Sequence, residues 1–140
     1  MWCKHNPCDI AACAGNMAVL RWAVQHGCPL SDLTCHLAAE GGHLEVLRWA
    51  RQHGCPWWET TCGHAAEGGH LDVLQWAREH NCPRDERTCY RAARYGHLEV
   101  LQWTRANGCP WSKRQCESYA RIHNSRKHTE TLAWVQQQPE

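Results

Sequence analysis

Cysteine and histidine dominate the chemistry that this chain of 140 residues could perform, with 11 copies of each. Several fall into sets: His26-Gly27-Cys28 with Cys35, His53-Gly54-Cys55 with Cys62, and His80-Asn81-Cys82 with Cys89. Each set offers two thiols and an imidazole, the donors of a zinc centre or of thiol redox chemistry. Zinc wants four converging ligands, and its structural sites commonly pair two cysteines roughly two to four residues apart. None of the sets has that pairing, and the fourth copy carries Asn107 where the histidine should be. A zinc- or thiol-redox-dependent protein is therefore the second reading. The first is that cysteine here acts as a small hydrophobe in a packed interior. Catalysis has little support: no Ser/His/acid set, phosphate-cradling glycine loop or pair of carboxylates stands out. No enzyme, metal or cofactor is expected.

The cysteines are numerous because they are copied. Trp22, Trp49, Trp76 and Trp103 lie 27 residues apart, as do Cys28, Cys55, Cys82 and Cys109 and the prolines that follow them. A second series, Cys8, Cys35, Cys62, Cys89 and Cys116, keeps the same period, together with Ala12, Ala39, Ala66, Ala93 and Ala120. A fixed period of roughly 20–50 residues marks stacked supersecondary units, none of which can bury its apolar face alone.

Within a unit, Leu44, Val46, Leu47, Trp49 and Ala50 share one face at helical spacing, with Glu45, Arg48, Arg51 and Gln52 opposite. This predicts an amphipathic helix starting at His43, as at His70 and His97, and ending at Gly54. Gly27, Asn81 and Gly108 stand at the equivalent stop, and asparagine is the usual substitute for glycine in a left-handed cap. His26, His53 and His80 fall in the last turn, where positive charge is favoured. The tryptophans are expected in the core. Upstream, Thr34 to Glu40 reads as a shorter helix capped by Thr34, packed through Ala38-Ala39 and closed by Gly41-Gly42.

The fold expected is therefore all-α, one domain over 1–140. It is an α-solenoid of about five stacked helix-turn-helix units at 7–33, 34–60, 61–87 and 88–114, with a C-terminal capping unit at 115–140. Four extra residues separate Ala120 from Trp134, and the polar stretch from His123 to Glu130 suits the wet outer face of a cap.

Ala38-Ala39-Glu40-Gly41-Gly42-His43-Leu44-Glu45-Val46-Leu47 followed by His53-Gly54-Cys55 resembles the ankyrin repeat: alanine pair, Gly-His turn, outer helix and closing turn. The likeness recurs from Ala65 to Cys82 and from Ala92 to Cys109. Aligned on the alanine pair, Cys35, Cys62, Cys89 and Cys116 occupy the buried leucine of the family's Thr-Pro-Leu-His motif, and Thr60-Thr61-Cys62 is its closest copy. The family's histidine is matched only by His36. Because the unit is shorter than the family's, the resemblance implies that the β-hairpin fingers are absent or reduced. This short, Trp-rich form is similar to ankyrin-like repeats of giant DNA viruses of amoebae and of some protists. An F-box often precedes those repeats, and none is legible here. The implied function is a non-enzymatic protein–protein interaction module.

Comparing the copies separates scaffold from surface. The short helix varies as His36/Gly63/Tyr90/Glu117, Leu37/His64/Arg91/Ser118 and Glu40/Glu67/Arg94/Arg121. Candidate partner-binding residues on the concave short-helix face are Leu37, Glu40, His64, Glu67, Tyr90, Arg91, Arg94 and Arg121. Trp57, Trp58 and Trp111, in loops where other copies have Leu30 and Arg84, are candidate exposed anchors. Charge is uneven: residues 1–83 hold 5 basic and 8 acidic groups, net −3, whereas residues 84–127 hold 10 and 4, net +6. The expected partner is a protein, an acidic one where the basic half meets it. Nucleic acid ranks third, behind the metal or redox reading. No apolar run spans a membrane and the opening segment lacks the apolar core of a signal peptide. A monomer in a reducing cytoplasm is expected.

Overall fold

The structure, a computed structural model, describes residues 6–140. The opening segment read for a signal peptide lies largely outside them. Ten α-helices form five pairs: α1 Pro7–Ala14 with α2 Met17–Gln25, α3 Asp32–Glu40 with α4 Leu44–Gln52, α5 Glu59–Glu67 with α6 Leu71–Glu79, α7 Arg87–Arg94 with α8 Leu98–Ala106, and α9 Lys113–Ala120 with α10 Arg126–Gln137. There is no strand among the described residues, so the turns between units are tight loops without a β-finger.

Each stop signal has its physical cause in the backbone. Gly27, Gly54 and Gly108 follow the second helices with φ of 85°, 82° and 69°, and Asn81 takes the same left-handed turn at 61°. The residue before each is the C-cap. Nδ1–H of His26, His53 and His80 donates to the carbonyl of Trp22, Trp49 and Trp76, each at 2.8 Å, closing the last helical turn. Asn107 does the same with Nδ2–H to Trp103 at 2.8 Å. The residue that broke the His/Cys set is thus a functional copy of the histidines.

The first helices begin earlier than the sequence suggests. Thr34 is not the cap of α3; Ser31 is, and its N–H donates to Thr34 Oγ1 at 3.1 Å. Trp58 N–H donates to Thr61 Oγ1 in the same way at 3.2 Å. Thr34 Oγ–H in turn reaches back to the buried Asp9 carboxylate at 2.7 Å.

The first helices α1, α3, α5, α7 and α9 pack directly on one another in a row, while each second helix packs mainly on its own partner. The alanine pairs Ala11-Ala12, Ala38-Ala39, Ala65-Ala66 and Ala92-Ala93 are buried in that row, where small side chains permit close approach. Neither helix of a pair would persist alone at eight or nine residues, so stacking supplies the stability.

Successive pairs are also keyed by histidine. His43 Nε2–H donates to the Cys13 carbonyl at 3.1 Å, and His97 Nε2–H to the Glu67 carbonyl at 2.9 Å. Each ring lies on a glycine of the unit before: a Cβ at Gly42 would come within 2.5 Å of the His70 ring, and one at Gly69 within 2.6 Å of that of His97. The four-residue insertion in the last unit transfers this role to His128. Its Nε2–H donates to the Arg94 carbonyl at 2.8 Å, Nδ1 faces Ser125 Oγ at 2.6 Å, and the side chain is buried inside the stretch that reads as polar cap.

The tryptophan series corrects the expectation of a buried core. Trp49, Trp76 and Trp103 are only half-buried against it, and Trp22 is 57% exposed. The ring lies along the helix end, stacked on the cap histidine: centroids are 4.2 Å apart for Trp22–His26, 3.9 Å for Trp49–His53 and 4.2 Å for Trp76–His80. Periodicity tells which face a residue occupies and says little about how far the neighbouring unit covers it.

Candidate binding face

The first helices share a partly exposed strip, along which most of the varying positions lie. On α3 and α5 the strip is imidazole and carboxylate. His36 and His64 stack with centroids 5.2 Å apart, Thr60 Oγ1 meets His36 Nε2 at 3.0 Å, and Glu40 lies 3.5 Å from His64 Nδ1. Burial, joined by the neighbouring His64, holds His36 below the ordinary imidazole range; burial and then Arg91 do the same to His64. Leu37 is half-buried against the core and offers a narrow apolar edge.

On α7 and α9 the strip becomes aromatic and cationic. Tyr90 and Tyr119 stack with centroids 4.8 Å apart and planes inclined by 17°. Arg91 pairs with Glu67 across the α5–α7 contact, and its stem lies where a Cβ on Gly63 would be. Glu67 also bonds to the Tyr95 hydroxyl, which burial and then this bond raise above the usual phenol range. Arg94 has no carboxylate partner among the described residues. Its guanidinium carbon lies 5.7 Å from the Tyr95 ring centre and 5.8 Å from that of Tyr119. Glu67, Tyr90, Arg91, Arg94, Tyr95 and Tyr119 line a pocket of about 220 Å³. Arg121 pairs with Glu117 at 3.9 Å, one turn back on the same helix end.

Of the sequence candidates, Glu67, Tyr90, Arg91 and Arg94 converge on this pocket, and Glu40 and His64 meet beside it. The loop tryptophans do not behave as a set. Trp57 is only 8% exposed, clamped between Trp76 at 5.7 Å and the Arg51 guanidinium at 4.2 Å, and is corrected from an anchor to a structural residue. Trp111 is half-buried in the same way, against Trp134 at 6.2 Å and under Arg105 at 4.7 Å. Trp58 is the N-cap residue of α5 and is 53% exposed.

Tyr95 and Tyr119 were missed, yet both leave a trace in the repeat. Tyr119 stands where the other units have the first alanine of the buried pair, and Tyr95 where two of them have the first glycine of the turn. A tyrosine fits at 119 because no further first helix presses on α9.

As for metal chemistry, no group of three or more His, Cys, Asp or Glu side chains converges among the described residues. The histidines of the apparent sets turn their nitrogen to a backbone carbonyl instead. No described helix is long and apolar enough to cross a membrane.

Residues 35–78, from the first-helix cysteine of the second pair to near the end of α6, match the family model described as ankyrin repeats (many copies). That segment is similar to ankyrin repeats. Ankyrin repeats are generally protein–protein interaction modules and typically have no enzymatic activity. No curated protein matches the chain. The first and fourth units, outside 35–78, share the helix pair, the left-handed stop and the buried first-helix cysteine of those inside it, and the last unit keeps the helix pair and the buried Cys116.

Proposed function

We propose that this ankyrin-like stack binds a partner protein through the strip shared by its first helices, and that the tyrosine–arginine pocket on α7 and α9 receives an acidic side chain of that partner. The observation carrying this is Arg94, a cation flanked by two tyrosine rings, with no carboxylate to neutralise it among the described residues. Four other arginines of this half already face a carboxylate: Arg87 pairs with Asp85, Arg91 with Glu67, Arg121 with Glu117 and Arg126 with Glu130. A carboxylate entering the pocket would meet an exposed guanidinium held beside two aromatic rings, able to give it charge-assisted hydrogen bonds. The stacked tyrosines add rigid apolar area beside it, the usual composition of an interface anchor.

Fluorescence titration with an acidic peptide, its amide-substituted analogue and a poly(dT) oligonucleotide tests the reading. The acidic peptide should bind, weaken with added salt, and lose at least tenfold in affinity to Arg94→Glu, whose melting temperature should stay within ~2 °C of the parent. Equal binding of the amide analogue, or tighter binding of the oligonucleotide, would refute it. Arg91 is a poor site for that charge reversal, because a second carboxylate would then face Glu67.

A further inference from the structure

The buried thiols are not scattered through the interior; they meet in twos. The cysteine of the first helix and the cysteine after the second helix of the same unit lie 20 residues apart in all four copies: Cys8 with Cys28, Cys35 with Cys55, Cys62 with Cys82, Cys89 with Cys109. Cys35 Sγ is 2.7 Å from Cys55 Sγ, Cys8 Sγ–H donates to the Cys28 carbonyl at 3.7 Å, and in the other two units the nearby Cys62 and Cys109 push the Cys82 and Cys89 thiols up. The second cysteine is aimed inward by its own unit: Cys55, Cys82 and Cys109 donate to the carbonyls of Ser31, Trp58 and Asp85 at 3.0, 3.6 and 3.6 Å. A disulfide bond is about 2.05 Å long, so the Cys35–Cys55 sulfurs need to close by only roughly 0.6 Å.

We propose that each of these four units carries a dithiol site that a small-molecule disulfide converts to a disulfide within the unit, tying the first helix to the end of the second. The thiolate of one cysteine attacks the external disulfide, expelling one small thiolate and leaving a mixed disulfide. The partner thiol gives up its proton to solvent, attacks the protein sulfur of that mixed disulfide and expels the second small thiolate. Two protein thiols thereby lose two electrons and two protons, and the external disulfide becomes two thiols.

Accessibility orders the sites. Cys28 is partly exposed, Cys82 and Cys109 are each 5% exposed, and Cys55 is fully buried. In the first unit Cys28 is the attacking sulfur, since burial and then the bond to Cys28 push the Cys8 thiol up to about 12. The hydrogen bond from Cys35 holds Cys55, and the neighbouring Cys89 holds Cys109, below the ordinary thiol value, which favours the loop sulfur there too, whereas in the third unit Cys62 pushes the loop thiol Cys82 up and Cys62 is the attacking sulfur. Cys116 is the internal control. Its unit, once the four-residue insertion is counted, has Glu140 at the partner position, and burial raises its thiol to about 12.

The test incubates the native protein with oxidised glutathione, blocks remaining thiols with iodoacetamide, and maps the peptides by mass spectrometry with time. Links 8–28, 35–55, 62–82 and 89–109 should appear, the first earliest, with Cys116 alkylated throughout and all links reversed by dithiothreitol. The oxidised protein should melt at least ~5 °C higher than the reduced one, and Cys55→Ser should lose only the 35–55 link and its share of that shift. Links between units such as 28–35 or 55–62, adducts stalled as glutathione mixed disulfides, or an unchanged or lower melting temperature would each overturn the proposal.

Discussion

Single residues in this chain are decided by backbone conformation and by what the next unit lays on them. Asn81 sits at φ 61° where its counterparts are glycine, so Asn81→Gly should stabilise by about 0.5–1 kcal/mol, measured by urea denaturation. The two alanine substitutions Gly54→Ala and Gly69→Ala separate backbone from contact. Both residues have positive φ, but only Gly69 lies under an imidazole. Gly54→Ala should cost about 1–2 kcal/mol and Gly69→Ala about 2–4, the excess being the displacement of His97. Tryptophan substitutions should follow coverage rather than repeat position. Trp76→Ala should cost about 2–3 kcal/mol, below the ~3–5 of a fully buried ring, and Trp22→Ala under ~1.

At the scale of elements, histidine couples the stack to pH. Burial holds His36, His64 and His97 below the usual imidazole value in the folded chain. Unfolding returns them to about 6.5, so between the folded and unfolded values the unfolded chain binds more protons. Their contribution is thus fully present above pH 6.5 and lost as pH falls through the folded values. The melting temperature should drop from pH 7.5 to pH 5, and His97→Gln, which keeps a donor for the Glu67 carbonyl, should flatten part of that slope.

Much of this level was legible beforehand. Glycine, asparagine and proline punctuation marked where the first four second helices stop, because a left-handed residue is a local demand. Helix starts were less legible: Thr34 looks like a cap but works from inside the helix, accepting the Ser31 N–H. The keying of His43 and His97 to earlier units was invisible, since a contact across some 30 residues of sequence depends on how two pairs lean together. The pocket was half legible. Arg94 and Tyr90 varied among copies and so drew notice, whereas Tyr95 and Tyr119 hid in positions that the other units give to glycine and alanine.

The whole molecule behaves as a sum of units and their junctions. α10 covers α9 and touches both α7 and α8, and through His128 it occupies the Arg94 carbonyl. Truncation after Ala120 should therefore raise amide exchange in α7 to α9 far more than in α1 to α4, read by hydrogen–deuterium exchange. Uniform exchange along the chain would show one indivisible fold instead.

The glycine floor that every unit shows to its successor, and the imidazole it receives in return, also bear on how such a chain can change over generations. A duplicated block of 27 residues inserted at a unit boundary arrives with both halves of the joint already cut to fit. Array length is then free to drift in whole rungs by unequal recombination, and the breadth of surface offered to other proteins drifts with it.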